Sequence, residues 1–243
     1  MTPTARSAKE ATIETMSAKV LFNLSTRLLY TKFMKKLKYL VLAIFYLTLI
    51  IALFYLRLYE DIGRLGYLLL AAIMPFLPYC VSYIVKLKFN DYMIIAYDIF
   101  VMAAMIGGNI FGFYSFTYFD QILHFTSGIL IAFFIYLIYV YLKKDPSIKD
   151  KRSLFIATTY VLGLNSFIAF LWECFEFALL VFFGNDAINN ASEGVYDTMT
   201  DMIVCFLGGL IIIASIISYY KTKRKNFLIK AAESFIDDNR LIK

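Results

Sequence analysis

Long apolar runs separated by short polar segments cover most of the chain. A bilayer core about 30 Å thick needs roughly 20 mainly apolar residues per helix. Six runs meet this length: residues 39–56, 65–85, 92–114, 122–142, 154–183 and 199–220. The pattern therefore predicts an all-α, polytopic integral membrane protein with six transmembrane helices.

Two of the predicted spans are irregular. The second contains Pro75 and Pro78, and a proline inside a helix removes a backbone hydrogen bond, so we expect a kink there. The fifth is longer than a bilayer requires. It must tilt, bend near Gly163 or begin later than residue 154.

The composition supports a membrane protein and excludes several other classes. Of the 243 residues, 61% are hydrophobic and 17% are charged, and the mean hydropathy is +0.70. Soluble domains are near 45–50% apolar and about 25% charged, so lipid must cover the excess. Disordered chains, disulfide scaffolds and ordinary soluble enzymes are excluded. The three cysteines form neither a disulfide framework nor a zinc-site spacing, which indicates packing residues.

The net charge of +6 is distributed unevenly along the chain. All but two of the 24 lysines and arginines lie before residue 39, after the second and fourth spans, or after residue 220; the exceptions are Arg57 and Arg64. By the positive-inside rule both termini are cytoplasmic. The basic runs then reflect topology, so we expect no nucleic-acid partner. We expect a multi-pass protein of the bacterial plasma (inner) membrane, in contact with membrane lipids.

Three segments follow from this topology. Residues 1–38 form a cytoplasmic N-terminal tail, in which 20–38 has the amphipathic pattern of an interfacial helix. Residues 39–220 form the six-helix domain. Residues 221–243 form a basic cytoplasmic tail with a weaker amphipathic stretch over 227–236. We expect both tails to be solvated or to rest on the membrane, and we expect no signal peptide because the first 18 residues are polar.

Acidic residues inside the spans are the most informative polar positions. Asp98, Glu173 and Glu176 lie well within spans, whereas Asp201 is at the outer end of the sixth. Ionisable groups within a membrane are costly and commonly mark function. Glu173 and Glu176 share one helix face. Two further same-face pairs begin the fourth and sixth spans: Asp120 with His124, the only histidine, and Asp197 with Asp201. All three pairs are expected in the outer half of the membrane.

This set of five carboxylates and one imidazole predicts a metal site. Such groups cannot all stay charged in a low dielectric unless a cation neutralises them or several are protonated. The donors suit Mg²⁺, Mn²⁺, Ca²⁺ or Zn²⁺, and no organic cofactor is expected. The candidate ligands are Asp120, His124, Glu173, Glu176, Asp197 and Asp201. His124 and Glu173 are also the candidate catalytic residues.

Alternatives exist for these residues. Asp120 and Asp197 each precede a helix and would serve as N-caps, and the two glutamates would form interhelical hydrogen bonds when protonated. Asp98 either belongs to a separate proton path or reaches the inner interface. Asn165 either lines the same cavity or bonds a neighbouring helix. Glycines allow close helix packing at positions 107, 108, 112, 128, 208 and 209.

These motifs resemble those of the YjdF-like family of bacterial inner-membrane proteins. The family pattern is Asp-x-x-x-His-Phe-x-x-Gly, then Glu-x-x-Glu, then an aromatic-Asp-Thr-x-x-Asp-Met segment. The matching stretches begin at Asp120, Glu173 and Tyr196. The resemblance covers about residues 90–215, with Tyr196 where the family usually has tryptophan and Gly194 where it has an acid. A looser similarity links the chain to VanZ-like membrane proteins. The resemblance implies the multispan fold and the six-residue site, and no particular reaction.

Three functional hypotheses remain open. The first is a metal-dependent hydrolase or transferase acting on a lipid or lipid-linked envelope substrate, with His124 as ligand or general base oriented by Asp120. The second is a cation or proton-coupled transporter, which requires a polar path between Asp98 and the glutamate pair. The third is a non-catalytic envelope or antibiotic-resistance accessory protein. The oligomeric state does not follow from the sequence.

Overall fold

The computed structural model describes residues 3–59, 61–187 and 191–240, with side chains except at 3–28, 30, 31, 62 and 240. The described residues are helical and contain no strand. The helices are α1 (Pro3–Leu58), α2 (Leu65–Ile73), α3 (Leu77–Val85), α4 (Asp91–Val101), a π-helical segment (Met102–Ile110), α5 (Phe119–Lys143), α6 (Lys151–Phe183), α7 (Val195–Thr222) and α8 (Phe227–Arg240).

Six helical stretches among the described residues are long and apolar enough to cross a membrane, which confirms the predicted fold class. They are Lys32–Leu58, Leu65–Val85, Asp91–Ile110, Phe119–Lys143, Lys151–Phe183 and Val195–Thr222. Because consecutive spans alternate in direction, the connections that follow α1, the π-helical segment and α6 lie at one end of the bundle, which we call the acidic end. Loops 86–90 and 144–150 lie at the other, the basic end.

The first span continues a much longer helix. α1 runs from Pro3 to Leu58 without a break, so the predicted interfacial segment 20–38 and the first span belong to one helix. The amphipathic pattern of 20–38 falls mainly on side chains that are outside the described residues, and its position on the membrane surface stays a prediction.

The second span is interrupted at its prolines, as the sequence predicts. A short 3₁₀ turn, Met74–Phe76, separates α2 from α3. Pro78 has no N–H to donate to the carbonyl of Met74, and the hydroxyl of Tyr97 donates to that carbonyl at 3.1 Å. Tyr46 on α1 donates to the carbonyl of Ala72 at 3.2 Å. Two tyrosines from neighbouring helices thus stabilise the kink.

Tyr97→Phe tests this role of the tyrosines. Removing the hydroxyl leaves the Met74 carbonyl with one bond fewer in an apolar environment, so we expect the free energy of unfolding to fall by about 1 kcal/mol. Unfolding in detergent measures the change. Tyr83→Phe is the matched control, because Tyr83 lies on α3 and is 86% exposed. Equal midpoints for the two variants would show that the kink does not depend on the hydroxyl.

The third and fifth spans differ from a regular helix of the predicted length. The π-helical segment Met102–Ile110 ends the third span four residues before the predicted end at 114, and Gly112 follows with a φ of 78°. Arg64 donates to the carbonyl of Ile110 at 2.8 Å, which satisfies the end of this segment. α6, by contrast, is one continuous helix of 33 residues through Gly163. It begins after Asp150, which forms a capping box with Ser153.

Glycines bring α5, α6 and α7 into close contact. A Cβ on Gly128 of α5 would collide with the backbone carbonyl of Cys205 on α7, and a Cβ on Gly208 of α7 would collide with the carbonyl of Phe125. A Cβ on Gly209 would lie 2.6 Å from the Asn165 amide nitrogen. The predicted close packing therefore holds at these three positions, and it fixes α5 against α7 near the acidic end.

The C-terminal helix is not the solvated or membrane-resting arm that the sequence suggests. α8 contacts α5 and α7 at the basic end and buries apolar residues there, including Leu228, Ile229 and Phe235. The amide of Asn239 bonds both the N–H and the carbonyl of Lys88, at 2.6 and 3.1 Å. Burial of this apolar face, rather than attraction to lipid, accounts for the amphipathic pattern.

Candidate metal centre

Each of α5, α6 and α7 contributes acidic side chains to one cluster near the acidic end. Asp120 lies in the first turn of α5 and Asp197 in the first turn of α7. The N-cap positions of these helices are Tyr118 and Gly194. The alternative that the two aspartates are N-cap residues is therefore wrong, although first-turn carboxylates still interact favourably with the helix dipole.

His124 lies between an aspartate of its own helix and one of α7. Its Nε2 is 3.6 Å from Asp120 Oδ1 and 3.5 Å from Asp201 Oδ2. The glycine contact explains this proximity, because Gly128 and Cys205 lie one helical turn along α5 and α7 from His124 and Asp201. Close backbones leave the side chains one turn away within a few ångströms of each other.

The same imidazole also approaches the glutamate pair of α6. Potential ligand atoms of His124, Glu173 and Glu176 all lie within 4.8 Å of one another, and the same holds for those of Asp120, His124 and Asp201. We call these the glutamate group and the aspartate group. His124 belongs to both, and no carboxylate is common to the two. The structure thus brings five of the six predicted ligands together.

Asp201 and Glu173 are buried beside polar neighbours: Asp120 and His124 approach Asp201, and Thr198 approaches Glu173. Asp201 is 1% exposed and Glu173 is 5% exposed. Three of their four carboxyl oxygens, both of Asp201 and Oε2 of Glu173, nevertheless lack a hydrogen bond within the described residues. Leaving such groups unsatisfied in a low dielectric is costly. The donor set fits a hard or borderline divalent cation, and protonation is the other way to remove the charge.

The remaining predicted polar residues lie outside the two groups. Asp197 is buried near the cluster on α7 but belongs to neither group. Asp98 is buried on α4, within two turns of the start of that helix at the basic end. Asn165 donates to the carbonyl of Cys205 at 3.2 Å, so the interhelical hydrogen bond is the correct alternative for this residue. Cys205 is buried and Cys80 and Cys174 are exposed; all three are free, and none belongs to either group.

Tyr114 is a site residue that the sequence did not reveal. It lies in the loop between the π-helical segment and α5, and its ring packs against Phe119 and over Gly108, where a Cβ would collide with it. Burial of its hydroxyl, and then the charges of Asp120, Glu176 and Asp201, raise the pKa of Tyr114. The one hint in the sequence is Gly112, because glycine readily adopts the positive φ, 78° here, at which the chain turns after the π-helical segment.

The fold and the cluster define a class: a polytopic α-helical membrane protein with a carboxylate–histidine site near one end of the bundle. Within that class, the chain belongs to the DUF2238 family of predicted membrane proteins, whose family model matches residues 34–223. This match covers every residue of the cluster and stops before α8. No curated protein and no solved structure matches the chain.

The family assignment agrees with part of the resemblance found in the motifs. YjdF-like proteins are usually associated with this family, whereas the looser similarity to VanZ-like proteins has no support among the comparisons.

Proposed function

We propose that the cluster binds divalent metal and that the protein is a metal-dependent enzyme acting on a lipid or lipid-linked substrate of the bacterial envelope. The observation that carries the proposal is the buried carboxyl oxygens of Asp201 and Glu173, which lack adequate hydrogen bonds and lie beside His124. A cation would supply the missing partner and offset the negative charge.

Each residue of the cluster has its own role in this proposal. Asp201, Glu173 and Glu176 are ligands, and His124 is a ligand or general base. Asp120, whose Oδ1 lies 3.6 Å from Nε2 of His124, is a further ligand or orients the imidazole. When bound, the metal would activate water or polarise a substrate oxygen. The hydroxyl of Tyr114 would be a further proton donor at the site, because burial raises its pKa and the charges of Asp120, Glu176 and Asp201 act on it and raise it further.

The depth of the cluster favours a lipid substrate. Glu176 is seven residues from the end of α6 at Phe183, which corresponds to about 10 Å along the helix. Asp120 and Asp197 lie in first turns. With the end of α6 at the membrane surface, the cluster would lie where the hydrocarbon core meets the lipid headgroups, whose layer is about 5–7 Å thick on each side. With both termini in the cytoplasm of a bacterial inner membrane, as the basic residues favour, the site would open to the outer leaflet.

The transporter hypothesis is less favoured by the packing. Between the cluster and the basic end, α5, α6 and α7 pack through buried apolar side chains, including Ala132, Ile135, Val161 and Ile212. Asp98 lies on a different helix, α4. An apolar layer opposes a polar path between Asp98 and the glutamates. The accessory-protein hypothesis requires no metal, so it is distinguished by the measurement below.

Elemental analysis of the detergent-purified protein tests the metal site. We expect stoichiometric divalent metal in the wild type and a fall by at least half in Glu176→Gln, which keeps the side-chain size and removes the ligand charge. Asp98→Asn is the matched control: it also neutralises a buried intramembrane carboxylate, 1% exposed, outside the cluster. Its metal content should equal that of the wild type.

The enzymatic part of the proposal needs a separate readout. Cells that express Glu173→Ala in place of the wild type should show an altered envelope-lipid profile. An unchanged profile, together with wild-type protein that carries no metal after purification without chelator, would contradict the proposed function.

A further inference from the structure

We propose that the centre is dinuclear, with one divalent cation in the aspartate group, a second in the glutamate group, and His124 common to both. This inference deepens the proposed function and rests on it. The cations are of the same class, hard or borderline, because both groups offer carboxylate and imidazole donors only.

The geometry supplies two sets of ligands rather than one. Asp120 and Asp201 complete one set with His124, and Glu173 and Glu176 complete the other, each within 4.8 Å. The carboxylates come from different helices: the aspartates from α5 and α7, the glutamates from α6. A neutral imidazole has one free nitrogen lone pair, and its other ring nitrogen carries a proton. His124 can serve both sets once that proton passes to a neighbouring carboxylate, a transfer that leaves the total charge of the cluster unchanged.

Each set contains its own buried carboxylate with unsatisfied oxygens. In the aspartate group the buried carboxylate is Asp201, and neither of its oxygens has a hydrogen bond within the described residues. In the glutamate group it is Glu173, whose Oε2 has none. A single cation held by one set would leave the other set's buried carboxylate uncompensated. Two cations satisfy both.

Charge balance also favours two ions. The two sets and the neighbouring Asp197 place five carboxylates in or beside one buried region. One divalent cation would leave three negative charges there if all five are ionised, whereas two cations would leave one. Uncompensated charge in a low dielectric is strongly destabilising.

Manganese loading of the full chain tests the inference. Purified protein is stripped with a chelator, loaded with Mn²⁺ in detergent and separated from free ion, and bound manganese is counted by elemental analysis. We expect two Mn²⁺ per chain and an exchange-coupled electron paramagnetic resonance signal. Asp201→Asn and Glu176→Gln, each altering one group, should each retain one Mn²⁺ with the six-line signal of an isolated ion.

The outcomes separate this inference from the proposed function. One Mn²⁺ per wild-type chain, lost in either variant, would overturn the dinuclear centre and leave the metal site intact. Loss of both ions from a single carboxylate variant would also overturn it. No binding of Mn²⁺, nor of Mg²⁺, Ca²⁺ or Zn²⁺ in parallel loadings, would overturn both. The wild-type resonance signal does not depend on how well a variant folds, and Asp98→Asn, processed in the same way, should retain two ions.

Discussion

Gly128→Leu is expected to separate α5 from α7 and to abolish metal binding together with much of the stability. At this position even a Cβ would collide with the backbone carbonyl of Cys205. Backbone cannot move aside as a flexible side chain can, so the helices must part. Overpacking usually costs 1–3 kcal/mol, and here we expect at least about 3 kcal/mol, or about 10 °C in the unfolding midpoint.

The loss of metal follows from the same displacement. His124 and Asp201 lie one turn beyond this contact, and their 3.5 Å separation depends on it. Thermal unfolding in detergent and elemental analysis measure the two effects. Gly163→Leu is the matched control, because a Cβ at Gly163 of α6 would meet no atom within 4 Å. If Gly128→Leu bound metal and unfolded like Gly163→Leu, the glycine contact would not be what assembles the site.

The sequence was sufficient to predict the spans and the grouping of the site residues, for simple physical reasons. Bilayer thickness sets the length of an apolar run, so six helices could be recognised without tertiary information. A spacing of three or four residues puts Glu173 with Glu176, and Asp120 with His124, on one helix face. Because consecutive spans alternate in direction, the ends of α5, α6 and α7 that carry the acidic pairs lie at the same end of the bundle.

The rotation of each helix and the course of the loops could not be predicted in this way. Helical spacing shows that Asp197 and Asp201 share a face of α7. Which of the two meets His124 depends on the rotation of α7, which the contact at Gly208 fixes. With this rotation Asp201 lies beside His124, and Asp197 lies outside both groups. Tyr114 joins the site because the third span ends early and turns at Gly112.

The same limit applies to the C-terminal helix. An amphipathic pattern shows that one face is covered. It does not show whether lipid or protein covers it, and for α8 the structure supplies protein, at the basic end of the bundle.

His124→Ala is expected to remove all bound metal, a larger effect than any single carboxylate substitution in the cluster. The imidazole is the one ligand common to the aspartate group and the glutamate group. Without it each group retains only two carboxylates, whose mutual repulsion disfavours a compact arrangement. We expect the metal affinity to fall by more than about 100-fold, beyond the 10–100-fold typical of residues that only orient a ligand.

Metal-dependent stabilisation provides the measurement, because a ligand that binds only the folded state raises its stability, by about 2.7 kcal/mol at 100 times the dissociation constant. The wild-type unfolding midpoint should rise on addition of Mn²⁺, and that of His124→Ala should not. Thr126→Ala is the matched control: the Thr126 hydroxyl donates to the carbonyl of Ile122 on the same helix at 2.7 Å, and Thr126 belongs to neither ligand group. If Mn²⁺ raised the unfolding midpoint of His124→Ala as much as that of Thr126→Ala, His124 would not be a ligand. The carboxylates alone would then bind the cation.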